Sequence, residues 1–209
     1  MYKVLIVDDQ KSSRELMKYS ISENKNYTLI GSIENAQEAT AFIDAKKVDL
    51  ILMDIHTGGK QNGIECSKKI KAAHPDIKII IVTFMVQQAH IDEARLAGCE
   101  GFWYKDHSPT KLIEVMNTVM AGQCVYPDRL PVVTIGSAKT TDFTKQETTI
   151  LTLKVNGYAN AEICDKLSIS RSTLNFHLNN LKEKTGYDSI LKLVIDVSMK
   201  KFILADDFE

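Results

Sequence analysis

Four apolar runs of this sequence each end on a polar residue that can do chemistry: "VLIVDD" on Asp8 and Asp9, "LILMD" on Asp54, "IIIVT" on Thr83 and "GFWYK" on Lys105. A carboxylate left alone among buried side chains costs several kcal/mol, so these acids must be solvated, paired or bound to a cation. Three of them converging would repel one another and raise at least one pKa unless a cation neutralises them. Oxygen donors in a small site suit Mg²⁺, which keeps several waters and takes only one or two carboxylates directly. Lys105 then offers a point charge, Thr83 a hydroxyl donor and an aspartate a nucleophile, which together describe a pocket for a phosphoryl group. Taken singly, each residue has a plainer reading: an Asp at a strand end commonly caps a turn, and a lone Lys is usually solvated.

The order of the elements decides whether these residues meet. Strand-like runs at 2–8, 27–33, 48–54, 77–83 and 100–105 alternate with amphipathic helical patterns at 12–23, 35–46, 62–74, 87–97 and 108–121. Such alternation predicts βα units and a parallel sheet. The first, third and fourth runs are continuous Val, Ile and Leu, as strands covered on both faces require. In such a sheet, ligands bind beyond the carboxyl ends of the strands where the strand order reverses. If the first and third strands are neighbours, Asp8, Asp9 and Asp54 share that edge. The helix at 108–121 carries Leu112, Ile113, Val115, Met116, Val119 and Met120 on one stripe and opens on Ser108-Pro109, a cap followed by a first-turn proline.

After Gly122 the period is lost: "GQCVYPDRLPVVTIGSAKTTD" holds Pro127, Pro131, Gly136 and a Ser/Thr cluster. This predicts a linker over 123–142 between a domain at 1–122 and a second at 143–209. The second reads as four helices near 144–155, 160–167, 171–185 and 189–200, with a frayed tail. Within it, "YANAEICDKLSISRSTLNFHLNNLKEKTG" gives a short helix, a turn that Ser170 caps and a longer polar helix, the helix-turn-helix order. Ile163, Leu167, Ile169, Leu174, Leu178 and Leu181 supply the buried side. Arg171, Ser172, Thr173, Asn175, Asn179 and Lys182 are left outside, and these types suit phosphates and base edges. A generic helical pair fits the spacing equally well.

The chain has 209 residues, 44% hydrophobic and 25% charged, which suits a soluble globular protein of two ordinary domains. No apolar run reaches the ~20 residues that span a bilayer, and an acidic pair stands where a signal peptide would carry its cleavage site. A cytoplasmic protein without a membrane partner is expected. Cys66, Cys99, Cys124 and Cys164 are scattered, which indicates neither a zinc site nor a disulfide framework. The net charge is −1 over residues 1–125 and zero over 143–209, so any nucleic acid is held by a local patch rather than a global field. Neither G-x-G-x-x-G after the first strand nor G-x-x-x-x-G-K-[ST] occurs, which disfavours nucleotide enzymes. An aspartyl phosphatase would want a second acid two residues beyond its nucleophile, where His56 stands. No enzyme activity is expected.

Through "VLIVDD", "DLILMD", "IIIVT" and "GFWYKD", residues 1–122 resemble the receiver domain of bacterial two-component response regulators. Through "FTKQE", "GYANAEICDKLSIS" and "STLNFHLNNLKEKTG", residues 143–200 resemble the LuxR-type DNA-binding domain, and the pair together is similar to the NarL/FixJ class. The resemblance implies a five-stranded doubly wound parallel sheet of flavodoxin type, followed by a small all-α helix-turn-helix domain. It implies that a sensor histidine kinase phosphorylates Asp54, that Asp8, Asp9, Asp54 and the main-chain carbonyl of His56 hold Mg²⁺, and that Thr83 and Lys105 contact the phosphoryl group. Phe102 falls at the family's switch aromatic, with plain core packing as the alternative. Phosphorylation would repack the surface of the fourth strand, fourth helix and fifth strand, and promote a homodimer on a double-stranded operator to regulate transcription.

The chain also departs from the family pattern. Thr57-Gly58-Gly59 replaces the usual Met-Pro, and the loop is a residue longer, which predicts greater mobility there. Phe84 stands where a small residue is usual, and its ring could overhang the pocket and slow a phosphodonor. His56 and Met85 occupy positions that tune phosphoryl lifetime in the family. Asn175 replaces a usual Lys, which removes a phosphate contact and part of the salt-dependent affinity. Modest affinity per protomer, offset by dimerisation on two half-sites, is expected. These departures keep open a phosphate-independent receiver that serves as a dimerisation or ligand-sensing module.

Overall fold

The Val, Ile and Leu runs form strands because branched side chains pack well on a pleated surface and their alternate residues can bury both faces. In the computed structural model, which describes residues 1–57, 61–84, 88–105 and 111–200, β1 (Tyr2–Val7), β2 (Tyr27–Ile33), β3 (Leu50–Met53), β4 (Lys78–Thr83) and β5 (Gly101–Tyr104) make one parallel sheet in the order β2-β1-β3-β4-β5. Between them run α1 (Lys11–Ser22), α2 (Gln37–Ala45), α3 (Gly63–Ala73) and α4 (Gln88–Leu96), and α5 (Leu112–Met120) follows. Val4, Ile6, Leu50, Leu52, Ile80, Val82 and Trp103 form one buried cluster with Met17 and Ile21 of α1 and Val115, Met116 and Val119 of α5. Each fully buried aliphatic side chain contributes roughly 1.5–3 kcal/mol relative to exposure.

Register places the chemistry. Val7 lies opposite Met53, and the Asp54 amide donates to the Val7 carbonyl at 2.8 Å, so Asp8 and Asp54 leave the sheet side by side. The β1/β3 junction is where the strand order reverses.

Two expectations differ from what is observed. Helix α5 begins at Leu112, with Lys111 extended at its cap position, and the Ser108-Pro109 start lies outside the described residues. The stretch from 123 to 142, read as linker because no period runs through it, carries short ordered pieces at both ends. Val125 bridges to Gly101 at the free edge of β5: its amide donates to the Glu100 carbonyl at 2.8 Å, and its own carbonyl accepts from the Phe102 amide at 2.9 Å. The Tyr126 hydroxyl donates to the Cys99 carbonyl at 2.5 Å, and the Arg95 guanidinium lies 4.6 Å from the Tyr126 ring centre. One bridging residue is too short to show a period.

The second compact unit spans Pro131–Glu209. It opens with an antiparallel pair, β6 (Thr134–Ile135) and β7 (Ala138–Lys139), whose connecting Gly136 has φ +58° and would bring a Cβ to 2.1 Å from the Thr185 carbonyl oxygen. Helices α6 (Lys145–Val155), α7 (Asn160–Leu167), α8 (Arg171–Thr185) and α9 (Ile190–Met199) follow, where the periodicity predicts them. Thr144 caps α6 by accepting from the Glu147 amide, and the buried Glu147 carboxylate accepts from the Thr144 amide at 2.8 Å and from Lys184 Nζ at 2.7 Å. Burial pushes the Glu147 carboxyl up, but the Lys184 and Thr144 hydrogen bonds outweigh it and hold the group below the ordinary range.

Candidate functional site

Asp8, the first residue beyond β1, is fully buried, and each of its polar atoms is spoken for. The Gln10 amide donates to Oδ1 at 2.8 Å, the Ser13 hydroxyl to Oδ2 at 2.5 Å and Lys105 Nζ to Oδ2 at 2.6 Å. Lys105 Nζ also donates to Asp54 Oδ2 at 2.8 Å, so one buried ammonium bridges the two carboxylates. Arg14 Nη1 donates to the Asp8 carbonyl at 2.8 Å, and its other arm pairs with Glu34, which fixes the turn that carries Asp8 and Asp9. Asp9 is exposed at the mouth. Asp8, Asp9 and Asp54 each offer an oxygen within 4.8 Å of the others, an all-oxygen set of the kind that hard divalent cations take.

The electrostatics favour a cation. Burial pushes the Asp54 carboxyl up to about 7, Lys105 pulls against this and Asp8 adds to it. Burial and then Asp8 raise Asp9 as well. Three carboxylates against one ammonium leave a surplus of negative charge that a divalent ion would offset.

Thr83 is buried at the end of β4, and its carbonyl accepts from the Lys105 amide at 2.9 Å, which sets Lys105 beside it. The Lys105 ammonium also lies 4.7 Å from the centre of the Phe84 ring. Phe102 is buried, with its ring edge-on to Tyr104 at 5.1 Å. His56 is half-buried in the loop after Asp54, next to Thr57, whose hydroxyl accepts from the Ala36 amide at 3.2 Å. Gly58, Gly59 and Met85 lie outside the described residues.

Three contributors escape a reading of strand ends. Ser13 and Arg14 sit on α1, where they look like ordinary helix residues, and both serve Asp8. Gly63 starts α3 against the Asp54 backbone: a Cβ there would lie 1.8 Å from the Asp54 carbonyl oxygen. The only hint in the sequence is a glycine after the Asn62 cap, which accepts from the Glu65 amide.

In the second unit α7 and α8 are joined by a turn in which Ser168 is left-handed, with φ 52° and ψ 44°. Ser170 caps α8 by accepting from the Thr173 amide at 3.1 Å. Leu174, Leu178 and Leu181 are buried and Arg171, Ser172, Thr173, Asn175 and Asn179 are exposed, with Lys182 half-buried. Phe176, absent from the predicted outer face, is exposed there too. Because a left-handed Ser pays a steric penalty that Gly does not, Ser168→Gly is expected to stabilise the second unit by about 0.5 kcal/mol, net of the extra freedom that glycine gives the unfolded chain. Calorimetry of the intact protein, resolving this unit's transition, checks it.

Among the described residues, no helix is long and apolar enough to cross a membrane. A family model for the response regulator receiver domain matches residues 4–117, and one for bacterial regulatory proteins of the luxR family matches residues 141–196. The chain is 32% identical to the transcriptional regulatory protein YdfI of Bacillus subtilis, over 99% of this chain and 100% of that one. It is 25% identical to the nitrate/nitrite response regulator protein NarL of Escherichia coli, over 95% of each. The fold is similar to that of the Salmonella typhimurium RcsB response regulator, with a TM-score of 0.58 at 20% identity, over 95% of this chain and 100% of that one. The chain therefore belongs to the NarL/FixJ class of transcriptional regulators, as a DNA-binding response regulator with a receiver domain and a LuxR-type helix-turn-helix domain.

Proposed function

We propose that a partner histidine kinase switches this protein, in the cytoplasm, by phosphorylating Asp54. The observation that carries the reading is the buried ammonium of Lys105 between Asp8 and Asp54, at 2.6 and 2.8 Å. A carboxylate held there is kept from water and oriented. An Asp54 oxygen attacks phosphorus as the bond to the kinase histidine nitrogen breaks, leaving an acyl phosphate on Asp54 and the histidine free. Lys105 then turns from Asp54 to a phosphoryl oxygen, and the Thr83 hydroxyl donates to another. Asp8, Asp9, Asp54 and the His56 carbonyl would hold Mg²⁺, which when bound supplies charge neutralisation. Drawing Thr83 toward the phosphoryl group opens space for Phe102 and shifts a two-state equilibrium in the receiver.

The output is a homodimer on two DNA half-sites, with Arg171, Ser172, Thr173, Asn175, Asn179 and Lys182 contacting DNA. Leu191, Ile195 and Met199, four residues apart along α9, form an exposed apolar stripe that a second copy could cover. RcsB has been described as dimers on DNA, which is consistent with this assembly.

Incubation with Mg²⁺ and acetyl phosphate, followed by intact-mass measurement, is expected to show a single phosphoryl adduct that Asp54→Asn abolishes. An unchanged wild-type mass would overturn the reading. The contact of Phe84 with Lys105 favours a second one, a phosphate-independent receiver in which the ring holds Lys105 against the carboxylates. That reading requires equal operator affinity for the wild type and Asp54→Ala.

A further inference from the structure

The outer face of α8 is polar except at one place. Phe176 is 61% exposed, and it is the one large exposed hydrophobic residue on this helix. Leu174, Leu178, Leu181 and Thr185 define the inward stripe, and at 3.6 residues per turn Phe176 lies roughly 170° round the helix from its centre. The ring therefore stands at the crest, beside Ser172 and Thr173 one turn earlier and Asn179 one turn later. Helical side chains lean toward the N-terminus, which carries the ring over the first two turns, the part of such a helix that meets base edges. The His177 ring lies edge-on to it at 5.5 Å and supports it from one side.

A single exposed apolar residue is ordinary on a protein surface. This one is ringed by the exposed hydrogen-bonding side chains of Ser172, Thr173 and Asn179. An apolar protein partner would want a wider patch. The major groove displays one apolar group, the 5-methyl of thymine, and aromatic contact with it is a recognised mode of readout. We infer that Phe176 is a specificity-determining residue whose ring packs on a thymine methyl in the operator. This rests on α8 being the helix that enters the groove.

The test is selection by the full-length protein from a pool of random-sequence duplexes. The wild type enriches a motif with a thymine at a fixed position, and Phe176→Ala enriches the same motif with that preference lost. Replacing that thymine with uracil, which removes only the methyl, weakens wild-type binding about fourfold and leaves Phe176→Ala unaffected. Phe176→Leu keeps part of the preference. An unaltered thymine preference in Phe176→Ala, or no response of the wild type to uracil, overturns the inference. So does a loss of self-association in Phe176→Ala with base preference intact, which would assign the ring to a second copy. A wild type that enriches no motif at all would instead fail the reading of α8 itself.

Discussion

Replacing Lys105 with alanine is expected to lower the unfolding free energy of the receiver by about 3–5 kcal/mol in metal-free buffer, the cost of breaking a buried ion pair from one side. Asp8 and Asp54 are both buried and share this ammonium, so its removal leaves two carboxylates facing each other without compensation. Asp54, already pushed up to about 7, escapes part of the cost by taking a proton. Two further outcomes separate this mechanism from lost packing. The double substitution Lys105→Ala with Asp54→Asn is less destabilised than Lys105→Ala alone, because the repulsion is gone. Millimolar Mg²⁺ restores stability to Lys105→Ala by binding only the folded state. The sole tryptophan, Trp103, is buried in β5, and its fluorescence in a urea titration reports this unit. A loss below about 1 kcal/mol would place the ion pair in the class of weak surface pairs.

Gly63→Ala is expected to destabilise by about 2–4 kcal/mol, against the usual direction for this exchange. Alanine in place of glycine within a helix ordinarily gains up to about 1 kcal/mol. Here the added methyl would sit 1.8 Å from the Asp54 carbonyl oxygen and 2.9 Å from Met53 Cγ. Backbone cannot rotate away as a side chain can, so either α3 lifts or the end of β3 moves, and overpacking of this kind costs about 1–3 kcal/mol or more. Because the obstructed atom belongs to Asp54, acetyl phosphate labelling should fall in the same variant under conditions where it remains folded. Trp103 fluorescence gives the stability and intact mass gives the labelling. Wild-type values for both would mean that the α3 start yields without cost.

The strands and the acids that end them are legible because both depend on local pattern. An apolar run of about four residues identifies itself, and the residue that stops it is the next letter. Thr83 and Lys105 are found the same way. The support around them is not local. Ser13 and Arg14 point at Asp8 only because α1 folds back over the end of β1, and polar residues near a helix start have many ordinary uses. Gly63 matters through an approach to backbone nine residues earlier, which leaves no periodic trace. Phe176 is not legible as an outer residue from its type, because aromatic side chains are mostly buried; only the burial of Leu174, Leu178 and Leu181 sets it on the opposite side. The Val125 bridge escaped because one paired residue makes no pattern.

That bridge bears on where the receiver can be cut. β5 ends the sheet, and a bare edge strand offers its open amide and carbonyl groups to any other chain. Val125 occupies those groups at Glu100 and Phe102, and Tyr126 ties the same segment to Cys99 and Arg95. A fragment ending at Gly122 would expose the edge, and would self-associate strand to strand more readily than one ending at Leu130. The residues just past the last helix therefore act as a selvedge, finishing the sheet before the chain goes on.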